Sequence, residues 1–196
     1  MNSEPADRSD YLMARMFAQR WADGTLRQAR RLRHALKAAS DMDRAYERMD
    51  APGITELDIA AKIDEVWTEQ HLLMVSAQQC EKWATKMAAA RGETRPEEAR
   101  LMRLLRNSLE HLDEAKLNDF EALPGPSGNR SLRDLPNSRL PLGVTLGADN
   151  VMVCDLVELD EIERNCRQLA DEIGDEIEGP AIDAYIDWMI DDARGR

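Results

Sequence analysis

Apolar residues recur every three or four positions through most of the first 122 residues, the mark of buried helical stripes. Leu32, Ala35, Leu36, Ala39, Met42, Tyr46 and Met49 make one such stripe. It predicts a helix over 10–48, capped by Asp10 and broken near Gly24. Asp50-Ala51-Pro52-Gly53 reads as a turn. A second helix is predicted from Thr55 to Ala90, with Thr55 and Asp58 as its capping arrangement and Gly92 just past its end. Its core face is Ile59, Ile63, Val66, Trp67, Leu73, Met74, Ala77, Trp83, Ala84 and Met87. Two helices joined by so short a turn should form an antiparallel hairpin.

Thr94, Pro96 and Glu97 together signal the start of a third helix. Its stripe of Leu101, Leu104, Leu105, Ser108, Leu112 and Ala115 predicts continuation through Glu121. Residues 123–141 are rich in Pro, Gly, Ser and Arg and read as a loop. Beyond them, Leu142, Val144 and Leu146 alternate with smaller or polar residues, Gly147–Asn150 offers turn chemistry, and Val151, Val153 and Leu156 follow. That pattern predicts a β-hairpin. A helix from Leu159 to Ile177 should then stop at Gly179-Pro180, and a short last helix should hold Ile182, Tyr185, Ile186, Trp188 and Met189. The expected fold class is mainly α: an antiparallel helical bundle with a small C-terminal β-hairpin elaboration. The chain is read as one domain over 1–196, its helical core in 10–122 and the loop, hairpin and C-terminal helices in 123–196.

Composition narrows the classes. With 43% hydrophobic and 33% charged residues the chain has the makeup of a globular domain. No run is long and apolar enough to cross a membrane, and the polar N-terminal stretch lacks signal-peptide character. Cys80, Cys154 and Cys166 are odd in number and have no CxxC spacing, which points to reduced thiols and a cytoplasmic location. The formal charge of −12 opposes loose nucleic-acid binding over the whole surface, although charge at a site matters more than the total. Arg27, Arg30, His34 and Lys37 gather on the outer face of the first helix, flanked by Arg31 and Arg33. Such a face is ordinarily solvated; as a track it would suit an RNA backbone or an acidic partner. No P-loop, GxGxxG, HExxH or Cys/His cluster occurs, so neither a cofactor nor a metal is assigned.

Leu104–Leu117 reads LLRNSLEHLDEAKL, with Arg106, then Asn107, and His111 four residues after that. Arg followed by a polar residue and then, a helical turn on, by His resembles the signature of the HEPN superfamily. Arg27 and His34 also meet the loose spacing. Arg106–His111 is distinguished by its place midway along a capped helix that follows a helical hairpin, and by Asn107. Helical geometry directs Arg106, Asn107, Glu110 and Arg103 away from the chain's own core and puts His111 at the border of the buried face.

The resemblance implies a small helical domain that dimerises through the motif face. It implies a metal-independent endoribonuclease, a toxin or defence effector, in which the RNA 2′-hydroxyl attacks the phosphate. Arg106 would contact phosphate, His111 would move protons, and Asn107 would hold one of them in place. Arg103, Arg27, Arg30 and Lys37 would bind RNA, and an antitoxin or regulatory protein would be a further partner. One position departs from a subset of HEPN toxins: Asp113 stands where those carry a modified tyrosine. Asp113, Glu110 and Glu114 also crowd the motif with negative charge. The competing expectation is a non-catalytic HEPN-like interaction or regulatory domain using the same face, with a nucleotide-binding regulator behind it. Both His111 residues of a dimer facing one cleft would favour the nuclease. An Arg106–Glu110 ion pair within a monomer would favour the interaction domain.

Overall fold

The computed structural model describes residues 8–94, 100–126, 130–148 and 150–194, with the side chains of Arg8 and of 177–194 excepted. Two long helices form its frame. Helix α1 spans Arg8–Glu47 and α2 spans Glu56–Ala90. They are antiparallel, as contacts climbing one helix and descending the other show: Tyr46 meets Glu56, Gln28 meets Glu69, and Phe17 stacks on Trp83. The start of α2 is fixed by local chemistry. Thr55 Oγ accepts the Asp58 N–H while the Asp58 carboxylate accepts the Thr55 N–H, so two otherwise orphaned donors are satisfied. Gly92 ends the helix at φ +77°, where a side chain would be strained.

Two expectations for α1 are corrected. The helix runs unbroken through Gly24, and Asp10 lies inside its first turn instead of capping it. A single glycine lowers helix stability only by about 1 kcal/mol, which packing against α2 outweighs. The apolar stripe also ends early: Leu32, Ala35 and Ala39 are buried, but Tyr46 and Met49 are exposed.

Helix α3, Arg100–Glu110, packs on α2 through Met102, Leu105 and Ser108. The expected Thr94–Pro96–Glu97 start falls largely outside the described residues. The predicted run through Glu121 does not occur. After Glu110 the chain makes a 3-10 turn at Leu112–Glu114 and then strand β1, Lys116–Asn118. Glu110, Asp113 and Glu114 crowd the negative end of the helix dipole, and no basic residue sits in its last turn. Strand β1 pairs antiparallel with β2, Glu121–Leu123, across a two-residue turn in which Asp119 and Phe120 both take positive φ. Strand β3, Leu140–Pro141, completes a three-stranded sheet in the order β1-β2-β3. The segment expected to be a loop therefore holds strand residues and a short helix α4, Arg130–Asp134, which buries Leu132.

The second hairpin is displaced from its predicted place. Strands β4, Met152–Val153, and β5, Val157–Glu158, pair around a turn at Cys154 and Asp155, both at positive φ. Leu142, Val144 and Leu146 form no strand; they lie half-buried against the core. Helix α5, Leu159–Arg194, then runs antiparallel along α1, with Arg33 beside Asp160 and Glu163 and Tyr11 beside Glu176, and also touches α2. It continues through Gly179-Pro180, against the predicted break. Proline's fixed φ is compatible with a helix, and what it removes is one backbone donor. The apolar residues expected on a separate last helix lie where side chains are not described.

Ion pairs join α5 to both long helices. Arg33 on α1 pairs with Glu163 at 3.0 Å and with Asp160, and Arg91 at the end of α2 pairs with Glu172 at 2.6 Å and with Glu176. Burial opposes the Arg91 charge, but Tyr11, Glu172 and Glu176 outweigh it, so its pKa is raised. One continuous apolar core draws residues from all five helices. No described helix is long and apolar enough to cross a membrane.

Candidate functional site

Arg106 and Asn107 sit in the last turns of α3, and His111 lies one residue beyond its end with φ −110° and ψ 32°. The His111 N–H still reaches the Asn107 carbonyl at 3.2 Å, so the backbone ties the two ends of the motif together. All three residues line one open hollow of about 360 Å³ with Glu110, Glu114, Arg130 and Ser131. Arg130 and Ser131 of α4 supply its far wall. Gly125, on the way to α4, passes so close to the Glu114 carbonyl that an added Cβ would stand 2.5 Å from that oxygen. Only glycine allows that approach without a shift of backbone.

Within the hollow, Arg106 and Glu110, and His111 and Glu114, already face one another in pairs. The Arg106 guanidinium pairs with Glu110 and donates to Asn107 Oδ1 at 3.2 Å. Its Nε is buried with no partner among the described residues. Arg106, expected to point away from the chain's own core, lines the open hollow with its side chain 29% exposed. His111, expected at the border of the buried face, is exposed instead, with Nδ1 3.2 Å from Glu114 Oε1. The helix ends before His111, which releases its side chain from the angular position a continuous helix would impose.

A second, smaller hollow adjoins the first. Arg106 and Glu110 share it with His71, Met74, Val75 and Leu109, so it joins the α3 motif to the middle of α2. His71 Nδ1 contacts its own-turn carbonyl of Trp67 at 2.9 Å, and the two rings lie 3.7 Å apart. Burial lowers the His71 pKa, and the contact with the carbonyl offsets only part of that effect. Trp67, Leu72 and Val75 remain 37%, 48% and 39% exposed along the same stretch of α2.

The basic residues assigned to RNA do not converge here. Arg27, Arg30, Lys37 and Arg103 are exposed, but none lines either hollow beside Arg106. Arg30 Nε donates to the Leu26 carbonyl of its own helix, and Lys37 is paired with Asp41 at 2.5 Å. Arg130, Ser131, His71 and Val75 were not found from sequence. They reach the motif only through tertiary packing, and no local pattern marks them. Among the described residues, no group of three or more His, Cys, Asp or Glu side chains is placed to hold a metal ion. Cys80 and Cys166 lie buried with their sulfurs 3.8 Å apart between α2 and α5.

No protein-family model, curated protein or solved structure matches the chain.

Proposed function

We propose that this chain is a HEPN-like helical interaction module that acts as a two-fold pair of chains, with the α2–α3 face around Arg106 as its contact surface. The observation that carries this reading is the Arg106–Glu110 ion pair within one chain. A phosphate-binding arginine needs its positive charge unmet, whereas here Glu110 and Asn107 already take it and Glu114 takes His111. Two opposite charges one helical turn apart also suit a two-fold interface, because each can exchange its partner for the symmetry copy's. The exposed parts of Trp67, Leu72 and Val75 supply apolar area next to them.

A second reading, metal-independent endoribonuclease, rests on a different observation: Arg106, Asn107 and His111 line one hollow, and Arg130 adds a second cation. Arg106 would then grip phosphate, His111 would carry protons to and from the 2′-hydroxyl and leaving oxygen, and Asn107 would position them. An i,i+4 helix ion pair contributes only about 0.3–0.5 kcal/mol, so RNA could displace Glu110.

One experiment separates the two. Wild type and Val75→Glu are compared by light scattering at micromolar concentration, and each is incubated with total RNA in EDTA. The interaction reading expects a wild-type dimer, a folded Val75→Glu monomer, and intact RNA throughout. A monomeric wild type overturns the two-fold pairing. RNA cleavage that disappears in folded Arg106→Ala and His111→Ala establishes the nuclease instead.

A further inference from the structure

Cys80 on α2 and Cys166 on α5 are nucleophiles that neither reading of the Arg106 face uses. Both are buried, and the Cys166 thiol donates to the Cys80 sulfur at 3.8 Å. They stand 86 positions apart in the chain, so the packing of α5 on α2 is what brings them together. A disulfide holds its sulfurs at about 2.0 Å, which leaves a gap of about 1.8 Å to close.

The two thiols differ in access. Cys166 lines a hollow between α2, α3, β5 and α5, and Cys80 lies behind it, outside the lining. The hollow holds about 100 Å³, room for a molecule the size of a few waters. Glu81 and Glu161 stand at its wall, so an anionic reagent meets like charge there. Cys154 is set apart from this pair. It sits in the β4–β5 turn, and burial, helped by Asp155, pushes its thiol up to about 12 and keeps it protonated.

We infer that Cys80 and Cys166 are a redox site, closed to a reversible disulfide by a small uncharged peroxide that enters through the hollow. Cys166 sulfur attacks one peroxide oxygen. The S–O bond forms, the O–O bond breaks, and the departing oxygen leaves as water with the thiol proton. Cys80 sulfur then attacks the sulfenic sulfur of Cys166. The S–S bond forms, the S–O bond breaks, and the hydroxyl leaves with the Cys80 proton as a second water. Two thiols lose two electrons and one peroxide becomes two waters. The bond closes a covalent loop that contains α3, both hairpins and the Arg106 hollows. It ties α5 to α2 beside Leu101 and Met102 of α3, and it does so whichever reading of the Arg106 face holds.

The test treats the reduced, folded full chain with hydrogen peroxide or, separately, with glutathione disulfide. Thiols are then counted in denaturant and mapped by mass spectrometry after alkylation. Peroxide should lower the count from three to one, join the peptides of Cys80 and Cys166, and leave Cys154 alkylated; dithiothreitol should restore all three. The oxidised chain should unfold at higher urea than the reduced one, since the cross-link restricts the unfolded state. In Cys80→Ser, Cys166 should be trapped as a sulfenic acid that dimedone labels. The wild-type map decides the matter even if that variant does not fold. Three thiols persisting in peroxide, or a bond that involves Cys154 or joins two chains, overturns the inference. Glutathione disulfide acting as fast as peroxide overturns the hollow as the route, since so large and anionic an oxidant needs the chain to open.

Discussion

Gln70, buried on α2, accepts the backbone N–H of Cys154 at 2.9 Å. This bond fastens the turn of the β4–β5 hairpin to the helical frame and so sets where α5 begins. Gln70→Ala would leave a buried donor with no partner. The expected loss is about 1–3 kcal/mol in urea unfolding, because stranding one buried partner costs more than a hydrogen bond's net worth. A change below about 0.5 kcal/mol would mean the turn is held by its apolar neighbours alone.

Gly125→Ala should also destabilise, for a steric reason. Its Cβ would meet the Glu114 carbonyl at 2.5 Å, and that neighbour is backbone, not a flexible side-chain end. Overpacking of this kind costs about 1–3 kcal/mol. The same change should shift the amide NMR signals of Glu114 and His111, since relief requires the chain there to move. Unchanged stability and unchanged signals would show that the close approach is not maintained in solution.

The α1–α2 hairpin was legible in the sequence because its determinants are local: a capping box at Thr55, a glycine at 92 and long periodic stripes. What failed depended on strand pairing and packing that hydrophobic spacing does not encode. Leu112 and Ala115 keep helical spacing with Leu101, yet the pairing of Lys116–Asn118 with Glu121–Leu123 draws the chain into a strand. Alternation at Leu142, Val144 and Leu146 suggested a strand, but those residues cover the core outside any strand, although the Leu142 N–H donates to the Phe120 carbonyl at 2.7 Å. Tyr46 and Met49 continue the stripe of α1 but lie exposed, because α5 begins beside Arg33 and the hairpin's loop end receives no such cover. The motif residues Arg106, Asn107 and His111 could be named from sequence. Their engagement by Glu110 and Glu114, and the walls supplied by α2 and α4, could not.

His71 should make stability depend on pH. Its folded pKa is lowered, chiefly by burial, below the ordinary value of about 6.5. The unfolded chain therefore binds a proton before the folded one does. The neutral ring's contribution is present above about pH 6.5 and is lost as pH falls through the lowered value. Urea midpoints of wild type and His71→Gln, compared from pH 8 to 5, should show the wild type losing more stability on acidification. Parallel curves would place His71 in water.

Glu110→Gln gives opposite outcomes for the two functional readings. It removes the carboxylate that holds Arg106 and leaves a side chain of nearly the same shape. At this exposure the ion pair contributes only about 0.3–0.5 kcal/mol, so the fold should survive. If the α2–α3 face joins two chains by exchanging Arg106 and Glu110 across a two-fold axis, each dimer loses two charge pairs and its dissociation constant should rise several-fold, with RNA untouched. If the hollow instead receives a phosphate, removing the competing carboxylate frees Arg106, and RNA binding should tighten while its salt dependence steepens. Sedimentation equilibrium and RNA titration on the same preparation read both. The interaction module proposed here requires the first result, and the second would reassign Glu110 as a built-in competitor at a nucleic-acid site.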